Sequence, residues 1–304
     1  MKILHIAVHL GGGIGTVLRN WIRLDRQNEH TILILNKNYY GKEEGSNIVE
    51  NLRGKYKKIN SYIENSDIVI IHFWNHPFLF EFLIKNRLPK CRLCFWSHVS
   101  GLTPPYVYSE KIINYSDKFL LSSPISYNSD IKYMSREIKN KVSVVWTTGG
   151  IDKYLTTNKT LSPKFIIGYV GTLDYSKIHP NFIDSCERIL HKIPSALFVV
   201  CGTGGDEDKI KNEVNTRKLA ESFNFMGHIK NVEDIFSTFD VLGYPLNKNH
   251  FGTCEQVLGE AMSCKVMPVV LNNPAEKYIV ENYGKVCNSM EEYVEMIKAL
   301  PSRQ

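Results

Sequence analysis

The stretch HFGTCEQVLGEAMSCKVMPVV, residues 250–270, places a glycine-containing turn, a helix and a buried strand in immediate succession. Apolar residues recur at helical spacing through EQVLGEAMS, and the run VMPVVL that follows is typical of a strand covered on both faces. Two carboxylates, Glu255 and Glu260, lie in this otherwise apolar segment. A glutamate packed against a sheet is rarely buried without a partner, so hydroxyl groups of a ribose or a sugar are candidate partners for Glu260.

The same alternation of apolar strands and amphipathic helices runs along the whole chain. It predicts strands at 2–8, 30–36, 67–74, 92–98, 118–123 and 141–146, and again at 165–172, 195–202, 222–227, 240–245 and 266–271. Helices are predicted at 15–27, 181–193, 206–220, 232–239, 255–263 and 290–301. This order of elements indicates an α/β fold with parallel sheets covered by helices.

A polar stretch divides the pattern in two. TTNKTLSP, residues 156–163, lacks periodicity and ends in proline, which predicts a linker between domains at 1–155 and 164–304. We therefore expect two doubly wound, Rossmann-like domains, with the ligand in the cleft between them at the carboxyl ends of the strands. The last helix either stays with the second domain or packs back on the first.

Length and composition favour a globular protein without a membrane anchor. The chain has 304 residues, 43% hydrophobic and 22% charged, and contains no run of about 18 apolar residues that would span a membrane. The first apolar run is interrupted by histidines and ends in glycines, unlike a secretory signal. Seven cysteines at irregular spacing indicate reduced thiols and a cytoplasmic protein.

The net charge of +6 is unevenly distributed, with +8 in residues 1–155 and −2 in residues 156–304. A basic first half predicts an anionic partner, such as a lipid head group, a phosphate or a nucleic acid. The segments RGKYKK (53–58) and KNRLPKCR (85–92) are candidates for peripheral contact with an anionic membrane. The alternative is that these lysines and arginines form solvated faces.

Four glycine-rich turns end predicted strands, at 10–16, 171–177, 202–208 and 251–256. Such turns expose backbone N–H groups and a helix N-terminus, and both favour an anion. Four of them, spread over two domains, predict a phosphate-bearing ligand. Candidate binding positions in these turns are Gly12, Gly13, Thr172, Lys177, Gly202, Gly252, Thr253 and Cys254.

Three other phosphate or metal motifs are excluded or disfavoured. A dinucleotide fingerprint would need glycine or alanine at Thr16 and an acid at Asn36, and the chain contains no P-loop consensus. The acidic run from Asp206 to Asp208 has the D-x-D form of a divalent-metal site. Because it follows a glycine turn and opens a charged helix, helix capping is the favoured interpretation, and no metal is expected.

The motifs resemble, in chain order, those of the retaining glycosyltransferases of family 4, which have the GT-B fold. GEAMSCKVMPVV (259–270) is similar to the family's E-A-M-A-x-G-x-P-V-V, and GYVGTLDYSK (168–177) is similar to its V-G-R-L-x-x-x-K. Further similarities lie in TTGGIDKY (147–154), LFVVCGTGG (197–205), GHI (227–229), FDVLGYP (239–245), HLGGGIGTV (9–17) and WSHVSG (96–101). The similarity covers nearly the whole chain, and its most specific motifs lie in the second half.

The resemblance implies roles for several positions. Glu260 matches the second acid of the family's E-x7-E motif, which binds the ribose of the nucleotide sugar, and Lys177 matches the lysine that binds the diphosphate. His98 stands where the family often has a histidine facing the donor sugar, and it is a candidate catalytic residue. The turn containing Gly12 and Gly13 is similar to one that lies near the donor phosphate.

The sequence departs from the family pattern at three positions. Thr172 replaces the arginine of the diphosphate motif, which leaves Lys177 as the main cation there, and Lys265 replaces a glycine that nothing in the sequence accounts for. The first acid of E-x7-E falls on Gly252, while Glu255 lies three residues later. Either Glu255, or the amides of 252–254, serve the sugar as part of the catalytic site, or Glu255 is only a helix cap.

The resemblance implies a metal-independent, retaining glycosyltransferase. It would move a sugar from a nucleotide-diphosphate donor on the second domain to a glycan or lipid-linked glycan acceptor on the first, in a polysaccharide pathway. We expect a cytoplasmic enzyme without a nucleic-acid partner, with peripheral contact at the inner face of the membrane as an open alternative. The alternative function is a non-catalytic subunit that binds a nucleotide or a glycan.

Overall fold

The computed structural model describes residues 1–37, 47–148, 150–155, 158–229 and 231–300, and these form two compact units. Unit 1 comprises Met1–Gly150 with Phe251–Cys254, and unit 2 comprises Ile151–His250 with Glu255–Gln304. Residues 156 and 157, where the predicted linker begins, lie outside the described residues, as does the last residue of the helix predicted at 290–301.

Unit 1 contains a parallel sheet of seven strands in the order β3-β2-β1-β4-β5-β6-β7. The strands are β1 (Lys2–Ala7), β2 (Glu29–Ile34), β3 (Asn47–Val49), β4 (Ile68–Phe73), β5 (Leu93–Ser97), β6 (Lys118–Leu121) and β7 (Val142–Val144). The helices are α1 (Gly12–Leu24), α2 (Tyr56–Glu64), α3 (Pro77–Lys85), α4 (Glu110–Asn114) and α5 (Arg136–Lys141). Helices cover both faces of the sheet, as the continuous apolar strands require.

Unit 2 contains a parallel sheet of six strands in the order β10-β9-β8-β11-β12-β13. The strands are β8 (Ile166–Val170), β9 (Leu197–Cys201), β10 (Phe223–Gly227), β11 (Val241–Tyr244), β12 (Met267–Leu271) and β13 (Lys285–Cys287). The helices are α6 (Phe182–Leu190), α7 (Glu207–Thr216), α8 (Val232–Phe236), α9 (Gln256–Ser263), α10 (Pro274–Val280) and α11 (Met290–Lys298).

The last helix contributes to the core of its own unit. Tyr293, Val294 and Ile297 are buried, and α11 packs against α6, β12 and β13. Its first turn is stabilised by Ser289, whose hydroxyl accepts the N–H of Glu292 and so satisfies one of the unpaired donors at the helix start. The described residues of α11 thus pack against elements of unit 2.

The predicted fold class is confirmed, whereas the helices α2, α3, α4, α5 and α10 and the strands β3 and β13 were not among the predicted elements. The edge strands β3 and β13 have three residues each, too few for an alternating pattern to be recognised. None of the described helices is both long enough and apolar enough to span a membrane. The seven cysteines carry free thiols.

Two glycines of unit 2 provide a test of its packing. A side chain added at Gly168 in β8 would overlap the ring of Phe239, whereas one added at Gly259 in α9 would meet nothing within 4 Å. Gly168→Ala should therefore lower the free energy of unfolding by about 1–3 kcal/mol through overpacking. Gly259→Ala should raise it by about 0.5–1 kcal/mol because alanine favours the helix. Urea unfolding of both variants checks this, and equal changes would contradict the described packing.

Candidate active site

The strand order of unit 2 identifies the place where a ligand is expected. From β8 the chain passes through α6 to β9 on one side, whereas β11 pairs with β8 on the other side. This reversal of direction is a topological switch point, and open α/β sheets bind ligands beside it, outside the carboxyl ends of the strands. Lys177 follows β8 and Glu255 follows β11, so the two turns bring these residues to the same edge.

Lys177 and Glu255 form a buried ion pair at this edge. The Lys177 Nζ lies 3.0 Å from Oε2 of Glu255 and 3.3 Å from Oε1. The Lys177 side chain is 16% exposed and that of Glu255 is 5% exposed, so little water screens the pair. Tyr244, at the end of β11, donates a hydrogen bond of 2.7 Å to Oε2 of Glu255. The Glu255 carboxylate is thereby satisfied from both sides.

The environment keeps Glu255 ionised. Burial alone would raise the pKa of this carboxyl, but the charges of Lys177 and His250 and the hydrogen bond from Tyr244 outweigh burial and lower the pKa. Glu255 precedes α9 at the N-cap position, yet its side chain accepts no hydrogen bond from the helix. The alternative that Glu255 is only a helix cap is therefore wrong, because its carboxylate is directed to Lys177 and Tyr244.

Glu260 lies in the middle of α9 and faces the short helical turn Asp152–Tyr154. Its carboxylate accepts a hydrogen bond from the Tyr154 hydroxyl, and the charge of Lys153 lies nearby. Burial raises the pKa of Glu260, and these two neighbours reduce that shift without cancelling it. Glu260 thus has a partner within the protein, and it remains a half-buried acceptor in this unit.

Two predicted positions near β8 and β9 have different surroundings. Thr172 is exposed. Gly202 adopts φ +135°, and a side chain there would overlap the carbonyl oxygen of Gly171. The Gly202 N–H donates to the carbonyl of Gly227 at 2.7 Å. Gly202 therefore allows two turns to approach each other, and its amide is already used within the protein.

The segment Phe251–Cys254 belongs to unit 1. Thr253 is 4% exposed, and its carbonyl accepts a hydrogen bond of 2.9 Å from the Ser123 hydroxyl. The Thr253 hydroxyl lies 3.0 Å from that of Ser126 and 3.2 Å from that of Ser123. The Phe251 carbonyl accepts the N–H of Ser100 at 2.9 Å. Thr253 thus anchors this turn, and Gly252 and Cys254 flank the anchor.

Gly12 and Gly13 begin α1 at the carboxyl edge of the unit 1 sheet. Both glycines are exposed, and the first turn of the helix contains no acidic residue and no side-chain cap. Gly12 has φ +62°, a conformation that glycine adopts without strain. The exposed N–H groups and the positive end of a 13-residue helix make this turn suited to an anion.

His98 follows β5 at the same edge of unit 1. It is half-buried, and its Nε2 lies 2.9 Å from Nδ1 of His72. Burial lowers the pKa of His98 to about 3, so the imidazole is neutral at physiological pH. A neutral histidine offers one nitrogen as a proton acceptor, which is compatible with the predicted catalytic role.

Sequence reasoning missed Tyr244 and His250. Tyr244 is fully buried and is the hydrogen-bond donor to Glu255. His250 is buried, and its Nε2 lies 3.0 Å from Oε2 of Glu276, which also accepts a hydrogen bond from Asn273. The available signal was a tyrosine at the end of an apolar strand, because a buried tyrosine hydroxyl needs a polar partner.

The predicted capping role is wrong for Asp206, which occupies the N-cap position of α7 but whose side chain makes no cap hydrogen bond, because its carboxylate is directed to another turn. Glu207 and Asp208 lie in the first turn of the helix. Asp206 accepts the N–H of Tyr175 at 2.8 Å, and Glu207 pairs with Lys211 at 2.6 Å along α7. Within the described residues, no group of three or more histidine, cysteine, aspartate or glutamate side chains is arranged to hold a metal ion.

Comparison with known proteins agrees with this geometry. Residues 152–302 match the family model described as glycosyl transferases group 1. The predicted GT-B fold and the prediction of a transferase enzyme are confirmed. The sequence matches no curated protein.

Solved structures share the fold of the whole chain at low identity. HepE from Anabaena, in complex with UDP-glucose, has a TM-score of 0.77 and 15% identity over 100% of this chain and 90% of that chain. The lipopolysaccharide outer core galactosyltransferase WaaB has a TM-score of 0.63 and 16% identity over 100% and 91%. A mutant of S. aureus TarM, in complex with fondaparinux, α-GlcNAc-glycerol and UDP, has a TM-score of 0.67 and 14% identity over 81% of this chain and 51% of that chain.

The ion pair between Lys177 and Glu255 can be tested by breaking it. Lys177→Met leaves the buried Glu255 carboxylate without its cation, which should cost about 3–5 kcal/mol of unfolding free energy at pH 7. Burial then raises the pKa of Glu255, so the loss should shrink as the pH falls through that raised value. It should be smallest well below 4.5, where the carboxyl is protonated in both folded and unfolded chains.

Lys298→Met is the matched control for this experiment. It breaks the exposed pair between Lys298 and Glu295, 2.7 Å apart, which should cost about 0–1 kcal/mol. Urea unfolding at pH 7 and pH 4 measures both variants. A pH-independent loss in Lys177→Met, or a loss no larger than that of the control, would contradict the described ion pair.

Proposed function

We propose that the chain transfers a sugar from a nucleotide-diphosphate donor to a hydroxyl group of a glycan or lipid-linked glycan. The proposal specifies retention of anomeric configuration, no metal requirement and membership of family 4. The observation that carries it is the buried Lys177–Glu255 pair at the switch point of a glycosyl transferases group 1 domain. A structure of similar fold is in complex with UDP-glucose, which supports a nucleotide sugar as donor.

The donor diphosphate is assigned to Lys177. An ammonium has three N–H donors, and Glu255 limits the rotation of the long Lys177 side chain by accepting from it at 3.0 and 3.3 Å. A fixed cation costs less conformational entropy when a phosphate binds than a freely rotating one. Thr172, exposed at the end of the same turn, contributes a hydroxyl donor in place of the arginine of the family motif.

The ribose is assigned to Glu260. Its carboxylate is half-buried and has two oxygens, of which the Tyr154 hydroxyl uses one hydrogen-bonding position. The vicinal hydroxyls of a ribose are suitable donors for the rest. This contact would orient the nucleotide, so Glu260 acts through binding and positioning.

Catalysis then consists mainly of stabilising the leaving diphosphate. Negative charge develops on it as the bond to the anomeric carbon breaks, and fixed donors that face this charge lower the barrier. Within unit 2, Lys177 supplies a cation and the start of α9 supplies oriented N–H groups. With these groups a divalent metal is not required. The acceptor proton passes either to a donor phosphate oxygen or to His98.

The acceptor is assigned to unit 1 and the pathway to polysaccharide biosynthesis in the cytoplasm. Structures of similar fold include a lipopolysaccharide galactosyltransferase and a protein in complex with α-GlcNAc-glycerol, which supports a glycan or glycan-linked acceptor. Arg53 and Lys85 both pair with Glu81, at 2.7 and 3.1 Å. Part of the positive charge of segments 53–58 and 85–92 is therefore neutralised internally, which weakens the case for membrane contact there.

Isothermal titration with UDP, GDP and ADP, with and without EDTA, tests the donor site. One nucleotide should bind with an affinity that EDTA does not change. Glu260→Gln should weaken its binding about tenfold or more, because a hydrogen bond to a charged group contributes about 1.5–3 kcal/mol. The same variant should bind the 2′,3′-dideoxy form of that nucleotide as tightly as the wild type does, since no ribose hydroxyls are then present.

Glu295→Gln, on the exposed side of α11, is the control and should bind every nucleotide like the wild type. If Glu260→Gln weakens the deoxy and ribose forms equally, Glu260 does not bind the ribose. If no nucleotide binds, the proposed donor class is wrong. Binding of a nucleotide without transfer or hydrolysis of its sugar conjugate would leave only the binding function.

A further inference from the structure

Four histidines and one aspartate form a continuous hydrogen-bonded row inside unit 1. Nε2 of His98 lies 2.9 Å from Nδ1 of His72, and Nε2 of His72 lies 3.2 Å from Nδ1 of His5. Nε2 of His5 lies 2.9 Å from Nδ1 of His30, whose own Nε2 lies 3.2 Å from Asp25. Every step joins an Nε2 to the next Nδ1 until the carboxylate is reached.

The row runs diagonally across four neighbouring strands, from the amino edge of the sheet to its carboxyl edge. His30, His5 and His72 lie on β2, β1 and β4, and His98 follows β5, so the row connects neighbouring strands in sheet order. All four side chains are on the face covered by α1, at positions two residues apart from apolar residues of that face. Asp25, just after α1, lies near the amino edge, and His98 lies at the carboxyl edge where ligands bind.

The carboxylate fixes the direction of every hydrogen bond. The pKa of Asp25 is lowered, first by its hydrogen bond with Asn28, so this side chain is an acceptor only. His30 must then donate from Nε2, and its Nδ1, in the neutral ring, accepts from His5. The same reasoning continues through His72 to His98, where Nδ1 is left as an acceptor. Among the described residues, no hydrogen-bond partner faces this Nδ1.

The interior of the row strongly disfavours charge. Burial lowers the pKa of His5 and His98 to about 3, and it lowers the pKa of His72 as well. Trp21 and Trp96 pack against the rings, with centroids of Trp21 and His5 5.1 Å apart and those of Trp96 and His72 5.8 Å apart. Within the described part of unit 1, the charges that shift the pKa of His5 and His72 belong to other members of the row, and burial alone lowers the pKa of His98.

We infer that His98, His72, His5, His30 and Asp25 form a proton relay that is loaded and unloaded at Nδ1 of His98. A proton added there displaces the Nε2 proton of His98 to Nδ1 of His72, and equivalent transfers follow to His5 and to His30. The added charge then resides on His30 as an imidazolium that donates to Asp25. One proton enters in total. His98, His72 and His5 each still carry one proton, now on Nδ1 instead of Nε2, and His30 carries a proton on both nitrogens.

The hydrogen-bond geometry couples protonation of His30 to a change of tautomer in the other three rings. If His30 gained a proton at Nδ1 while the other rings stayed unchanged, this proton would meet the Nε2–H of His5, and two donors would face each other. If all three remaining rings exchange their protonated nitrogens, the three hydrogen bonds between rings are kept with their directions reversed, and His30 still donates to Asp25. Protonation of His30 and the tautomer of His98 are therefore coupled across the sheet.

The relay supplies the proton acceptor for the proposed transferase mechanism, and this use of it rests on the proposed function. The O–H bond of the acceptor breaks as its oxygen bonds to the anomeric carbon, the electron pair of the broken sugar–phosphate bond leaves with the diphosphate, and the proton passes to Nδ1 of His98. His98 then touches the substrate, whereas His72, His5, His30 and Asp25 act as positioning residues. The positive charge is stored beside Asp25 rather than in the buried interior, and the relay reverses when His98 releases the proton.

Nitrogen NMR on full-length protein with ¹⁵N-labelled histidine tests the relay without any nucleotide, so failure of the proposed function does not affect the result. At pH 8, all four rings should carry their proton on Nε2. As the pH is lowered, His98 should exchange its protonated nitrogen from Nε2 to Nδ1 in the same step in which His30 becomes doubly protonated. Signals are assigned by single histidine-to-glutamine variants.

Two variants and a control complete the experiment. Asp25→Ala, at the partly exposed end of the row, removes the group that sets its direction, so at pH 8 the minor tautomer of His98 should rise by about tenfold or more. His72→Phe should separate the two events, leaving His98 unchanged when His30 protonates. His191→Gln, an exposed histidine elsewhere, should change neither. The relay is overturned if His98 carries Nδ1–H at pH 8 in the wild type, or if His30 protonates while wild-type His98 keeps Nε2–H.

Discussion

Parallel pairing of strands is the constraint on which both units depend. Because the strands of each described sheet run in one direction, every strand-to-helix turn of a unit lies at the same edge of its sheet. Polar residues that are far apart in the sequence, such as Lys177 and Glu255, therefore meet without any long-range loop. In unit 2 the apolar interior of the sheet can remain continuous, and the ion pair lies in the turns that follow the strands.

The two units solve the problem of burying ionisable groups in opposite ways. Unit 2 buries a charged carboxylate and pairs it, since Lys177 lies within 3.3 Å of both oxygens of Glu255 and Tyr244 donates to Oε2. Unit 1 buries imidazoles in their neutral form and connects them, so that each ring is both a donor and an acceptor. A paired charge fixes a position, whereas a connected neutral row can pass a proton without moving a heavy atom. The first arrangement suits binding, and the second suits proton transfer.

Periodicity in the sequence was sufficient for the fold and for the order of the elements, because each long strand is an apolar run bounded by glycine or polar residues. It could not decide between alternatives that depend on side-chain direction. Glu255 occupies a cap position, and only the structure shows that its carboxylate turns to Lys177 and Tyr244. The histidine row was missed although its signal was present. The strands KILHIAV, HTILILN, DIVIIHFW and the segment RLCFWSH each carry one histidine, but the register that aligns them exists only in the sheet.

The replacement of the family's arginine by Thr172 changes how a diphosphate would have to be held. The Lys177–Glu255 pair has a net charge near zero, so it cannot neutralise a diphosphate by itself. Its contribution is the fixed direction of the ammonium, while the remaining attraction has to come from oriented N–H groups at helix starts, which carry partial charges and no counter-ion. In unit 2, α9 offers such N–H groups beside its N-cap residue Glu255, whose negative charge is paired with Lys177. On the proposed function, the absence of a guanidinium at position 172 would shift the electrostatic task from side chains to the backbone, where a substitution of a single side chain does not remove it.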